Sequence, residues 1–245
     1  VSEQLDIVWP ALAAGLVVAA THVPLGIQVL ARGIVFIDLA VAQIAALGVI
    51  VATWLGFEAH GAAVQVSALA AALAGGLLLD WTERRWPDVQ EAVIGVLFVL
   101  AANAAILLLA ANPRGAEHLK DLLTGQILWV HPAALLLPAA VSVAILGLWF
   151  GLRTRLGRTG FYVLFAIAVT LSVQLVGIYL VFATLIIPAL ATSRLQRHRL
   201  YLSYGLAALA YAAGLSLSLL TDLPAGPLVV CTFGALGAAL LVATS

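Results

Sequence analysis

From Phe161 to Ser193 the chain carries no Asp, Glu, Lys or Arg, and this is one of several long apolar runs that follow one another from end to end. A helix needs about 20 apolar residues to cross a hydrocarbon core about 30 Å thick. Runs of that kind lie near Ile7 to Leu30, Ile34 to Leu55, Ala62 to Leu79, Ala92 to Ala111 and Ala133 to Leu152. Phe161 to Ser193, Leu200 to Leu220 and Leu228 to Ala243 follow. No water-soluble core needs so much apolar surface: 64% of the 245 residues are hydrophobic and 9% charged, against roughly 25% charged in a soluble domain. In lipid every backbone polar group needs an internal partner, which leaves the helix for runs of this length. The chain reads as an all-α polytopic membrane protein of roughly eight to nine transmembrane helices, one of them a broken pair, with residues 1–245 forming a single transmembrane domain.

Phe161 to Ser193 is much longer than one crossing requires. It reads as two short helices broken near Gly177, the alternative being one long tilted helix. A break is tolerable only where the freed backbone groups are buried in protein or line a wet cavity. Charge favours the break, because Lys and Arg in short loops stay on the cytoplasmic side. With two crossings in this run, Arg32, Arg84, Arg85, Arg153, Arg155, Arg158, Arg194, Arg197 and Arg199 fall on one side, nine of the eleven basic residues, with Arg114 and Lys120 opposite. The amino end, the loop around His60, the stretch Asn112 to His131 and the TDLPAGP loop then lie outside.

Net charge is zero and the basic residues are scattered, which gives no footprint for nucleic acid. A lone Cys231 builds neither a disulfide framework nor a thiolate cluster within one chain. Glu3 and Asp6 stand where a secretory signal would carry positive charge, so the first apolar run is expected to remain as a span. Small residues, as in GAAVQVSALAAALAGG from Gly61 to Gly76, let membrane helices approach closely. There is no HExxH, GxSxG or GxxxxGK[ST] motif, so the chain reads as a non-enzyme that needs no cofactor, and ATP hydrolysis would have to come from elsewhere.

Few polar side chains fall inside the spans. Asp38 lies four residues into the second, where a carboxylate costs roughly 2.5 to 3.5 kcal/mol on insertion scales. Two readings fit it: a cation ligand facing a pathway, or a helix-end acid paired with Arg32. Gln43 is five residues on, about 140° around the helix, so one helix cannot aim both at one ion. His22, between Thr21 and Pro24, is a metal ligand or a hydrogen-bonded core histidine. Asn103 and Gln174 line a passage or tie helices together. Glu117, His118 and Asp121, with His60 and His131, form an outer ion entrance or a solvated loop.

Five pieces in order resemble the zinc/manganese/iron permeases of ATP-binding cassette importers, relatives of the cobalamin importer permease. They are RGIVFIDLAVAQIAALG from Arg32 to Gly48, EAVIG from Glu91 to Gly95, LLTGQILWVHP from Leu122 to Pro132, VGIYLVFATLIIPALATSRL from Val176 to Leu195, and TDLPAGPLVV from Thr221 to Val230. The resemblance runs almost end to end. It implies a multi-pass protein of a bacterial-type inner membrane, acting as a dimer with a second copy of the permease. Cytoplasmic ATPase subunits and an extracytoplasmic metal-binding protein would be its partners, and a divalent metal, zinc or manganese, its cargo. It also implies a metal path along the second span and the broken helix with Asp38 as its acid, beside which His22 and Gln43 stand as pathway candidates on their residue types, and ATPase-facing loops carrying Arg153, Arg155, Arg158, Arg194, Arg197 and Arg199. The chain departs from the family in two places. Gln43 stands where relatives commonly have His, and a neutral amide is the poorer zinc ligand. Relatives also carry a longer segment with a short helix where this chain has LRTRLGRTG, from Leu152 to Gly160. A gradient-driven or channel-like cation carrier without ATPase coupling is the competing function.

Overall fold

The computed structural model describes residues 2–58, 61–110, 123, 125, 127–195 and 197–244, without the side chains of 2–7, 153 and 154. Its elements are helical throughout: α1 (Ser2–Arg32), α2 (Ile37–Trp54), α3 (Ala62–Arg85) and α4 (Gln90–Leu109), then a helical run Leu136–Val176. Gly157 interrupts that run with non-helical dihedrals (φ 60°, ψ −157°) and divides it into α5 (136–156) and α6 (158–176). α7 (Ile178–Ala191), α8 (Arg199–Thr221) and α9 (Ala225–Ala243) complete the bundle. Among the described residues, eight helical segments are long and apolar enough to span a membrane, and α7 is a shorter apolar helix. Its 14 residues reach about 21 Å at 1.5 Å per residue, less than the hydrocarbon core.

Two glycines set the path of the chain through α6. The rings of Trp149 and Phe161 lie 5.9 Å apart, whereas twelve residues of straight helix would hold them about 18 Å apart. The chain therefore doubles back at Gly157. Gly177 (φ 82°, ψ 163°) ends α6 and starts α7, so the long uncharged run is broken where its charge pattern requires. Both glycines occupy a region of dihedral space that is essentially closed to other residues. Gly177 is also pressed by Gly125, whose own Cβ position would overlap the Val176 carbonyl. Replacing Gly177 by Ala is expected to cost about 1–3 kcal/mol, read as a lowered Tm of the solubilised chain.

LRTRLGRTG is less of a loop than its sequence suggests. Helix continues through 156 and resumes at 158, because apart from its glycines the segment holds only Leu, Arg and Thr and nothing that stops a helix. The segment is short, yet an extra helical turn projects beyond the fifth span.

Packing divides the helices into α2, α3 and α4 on one side and α1, α7, α8 and α9 on the other, with the run Leu136–Val176 touching both groups and a smaller contact between α2 and α7. Backbones meet closely at small residues. A Cβ at Gly26 of α1 would overlap the Leu185 carbonyl of α7, and one at Gly214 of α8 would lie 2.6 Å from Val229 Cα of α9. Ser67 Oγ of α3 donates to the Gly48 carbonyl of α2 at 2.8 Å. Such contacts replace the hydrophobic drive that lipid cannot supply between helices.

Candidate functional site

Polar chemistry gathers at the end of the bundle where the arginine-bearing segments meet. Arg84 donates to Asp80 at 2.7 Å and Thr159 donates to the same carboxylate at 2.9 Å, tying α3 to the start of α6. Arg32 lies 3.9 Å from Glu83 and 4.3 Å over the Phe161 ring. Thr82 donates to Gln90, and Gln90 in turn donates to the Leu79 carbonyl, both at 3.0 Å. Pro24, Ile27, Trp149 and Phe150 share a groove with His198, Arg199 and Tyr201. The ends of α1, α3 and α5 and the starts of α4, α6 and α8 therefore share one face, as the charge pattern predicts.

Asp38 is in the first turn of α2 and has no solvent exposure. Neither of its carboxylate oxygens has a hydrogen-bond partner. Pairing with Arg32 is not what the structure shows, since that guanidinium is committed to Glu83 and Phe161. A carboxylate left bare in an apolar bundle is costly and calls for a function. Gln43, also buried, sits about 140° farther round the same helix.

His22 is fully buried on α1. Its Nδ1 lies 3.0 Å from the Val18 carbonyl and 3.1 Å from Thr21 Oγ1. A carbonyl only accepts, so Nδ1 carries the proton and Nε2 keeps its lone pair, which is buried and unpartnered. A ligating histidine is held in the same way, its far nitrogen bonded to a backbone carbonyl. His22 and Asp38 are nevertheless built into different packing groups, α1 against α7 and α8, α2 against α3 and α4. Among the described residues, no three His, Cys, Asp or Glu side chains form a group that could hold a metal ion.

The other candidates separate clearly. Asn103 donates to the Val99 carbonyl of its own helix at 2.8 Å and faces outward, so it ties no helices together. Gln174 is exposed on α6. His131 is exposed, while His60, Glu117, His118 and Asp121 lie outside the described residues. Arg155, Arg158, Arg194 and Arg197 are exposed. Arg199 is partly buried and donates to the Ala189 carbonyl at 3.1 Å, which staples the start of α8 to the end of α7. The side chain of Arg153 is not described.

Sequence reasoning passed over Asp80, Glu83, Gln90 and Glu91. Their signal was available: acids and amides at the ends of apolar runs, close to arginines. Glu91 was read only as part of a motif, yet its Oε1 accepts the Phe36 backbone N–H at 3.1 Å across 55 residues of chain.

Comparison with known proteins agrees with this architecture. Residues 4–156 and 148–243 match the ABC 3 transport family. A "Probable metal transport system membrane protein" of Chlamydia trachomatis serovar D is 24% identical over 257 aligned residues, covering 93% of this chain and 86% of that protein. The solved structure of PsaBC from Streptococcus pneumoniae, in complex with Fab, superposes with a TM-score of 0.78 at 20% identity. It covers 98% of this chain and 94% of the other. With the family match spanning nearly every residue, on a bundle of membrane-length helices that buries a bare acid, this chain belongs to the ABC 3 transport family.

Proposed function

We propose that this chain is the membrane permease subunit of an ATP-binding cassette importer for a divalent transition metal, zinc or manganese, moved inward by alternating access. The observation that carries the reading is Asp38: a carboxylate with no exposure and no partner, on one of the most enclosed helices of the bundle. Such a group attracts a cation and repels an anion. Membrane acids of this kind mark ion pathways. His22, with its bare Nε2, and Gln43 are the further polar groups the path would use. The name of one relative, a probable metal transport system membrane protein, supports a metal as the cargo.

In this reading the chain works as a dimer, receives the metal from an extracytoplasmic binding protein, and is driven by ATPase subunits on its arginine-bearing face. Arg155 and Arg158 flank the reversal at Gly157, on an exposed turn suited to docking. Arg194 and Arg197 add a second exposed basic segment.

Gentle solubilisation of the tagged chain from its host, followed by mass spectrometry of what copurifies, tests the proposal. A stoichiometric ATPase subunit is the expected result. Recovery of the chain without an ATPase, under conditions that hold another such importer together, would point to a gradient-driven carrier instead.

A further inference from the structure

We infer that Glu91 is a positioning residue for Asp38: its carboxylate supplies the cap that α2 lacks and so leaves the Asp38 carboxylate free. This rests on the proposed pathway role of Asp38. The first N–H groups of a helix have no partner within it, and the preceding residue normally offers a side-chain oxygen. Here that residue is Phe36, which offers none. The N–H of Phe36 itself, which in a capping box goes to an acid in the helix's own first turn, goes here to an acid in the first turn of α4, Glu91 Oε1 at 3.1 Å. The Val35 N–H faces the same carboxylate.

Position matters because Asp38 is only two residues beyond Phe36. An acid in the first turn of a helix is well placed to turn back onto the bare N–H groups at the start of that helix. Asp38 does not do so, and both of its oxygens stay unpartnered. Local reach and the positive end of the helix dipole favour the fold-back. An acceptor already seated on the turn before α2 opposes it. Glu91 is itself anchored: α4 starts next to Gln90, which bonds the Leu79 carbonyl, and Thr82 bonds Gln90. The cap therefore links α2 to the end of α3 and the start of α4 rather than to a loose side chain. Without it, the Phe36 N–H loses its protein acceptor, and Asp38, two residues on in the same turn, is the acid that local reach offers in its place.

The test measures Mn²⁺ and Zn²⁺ uptake by the complete transporter carrying Glu91→Ala, Glu91→Gln, Asp38→Asn or Glu91→Ala with Asp38→Asn. Tm of each solubilised chain serves as the folding control. The Gln amide keeps a carbonyl acceptor for Phe36 and loses the charge, so it separates capping from electrostatics. Glu91→Ala should raise the apparent KM by about tenfold or more, the scale of one charge-assisted hydrogen bond lost to the ion, with maximal rate and Tm little changed. Glu91→Gln should restore KM to near its starting value, and the double variant should transport no worse than Asp38→Asn alone. Normal uptake by Glu91→Ala beside a dead Asp38→Asn would overturn the inference and leave the pathway intact. Parallel losses of maximal rate and Tm in Glu91→Ala, not rescued by Gln, would overturn it in favour of a purely structural cap. Normal uptake by Asp38→Asn would instead remove the pathway reading on which the inference stands.

Discussion

Asp38→Ala should reduce metal uptake by more than about 100-fold, beyond the 10- to 100-fold that losing an outer-shell partner costs a metal site, while the protein still inserts and folds. The reason is an asymmetry in what the carboxylate does for the two tasks. It makes no hydrogen bond and no ion pair, so the folded chain loses no polar contact when it goes. Removing a bare intramembrane acid even relieves an insertion cost of roughly 2.5 to 3.5 kcal/mol. Transport, in contrast, loses the one fully buried acid on the proposed path. Uptake of Mn²⁺ or Zn²⁺ and Tm should therefore move in opposite directions, uptake down and Tm level or up. Unchanged uptake would take Asp38 out of the pathway.

Gly26→Leu should have the opposite signature, a loss of the folded protein itself. Any Cβ at this position overlaps the Leu185 carbonyl, which is backbone and cannot rotate away. α1 and α7 would have to separate, and overpacking of this kind costs typically about 1–3 kcal/mol, more where backbone must shift. The damage would spread, because α8 is bonded to both of these helices. Tyr204 donates to the Ala20 carbonyl at 2.7 Å, and Gly15 faces the Tyr211 ring, whose hydroxyl pairs with Thr184 at 2.7 Å. Yield of monodisperse protein in detergent should fall sharply. Gly95→Ala on α4 is the control: nothing lies within 4 Å of its Cβ position, and replacing a mid-helix glycine there gains up to about 1 kcal/mol of helix propensity. A normal yield of Gly26→Leu would show that the α1–α7 crossing tolerates a wider spacing.

Much of the fold is legible in the chain because the membrane restricts the choices. Apolar runs of crossing length can only be helices, and the placement of arginines favours two passages in Phe161 to Ser193. The run's length and its glycine point to a break near Gly177, and the structure places it there. The stretch LRTRLGRTG is harder to read, since a single glycine with φ 60° can reverse a chain that is helical on both sides. Residue type alone does not reveal that dihedral.

The site divides along the same line. Sequence by itself determined that Asp38 and His22 are polar groups at membrane depth, because their neighbours in the chain are apolar and periodicity does the rest. Which of them is satisfied was decided only by the tertiary structure. His22 binds its own helix and keeps one nitrogen bare. Arg32, which one of the two readings paired with Asp38, lies against Glu83 and Phe161 instead. Glu91 reached across 55 residues to cap α2. Partner choice of this kind depends on distances of a few ångströms between helices remote in the chain. Hydrophobic patterning fixes which segments cross the membrane, but it carries no information about which neighbour each one meets.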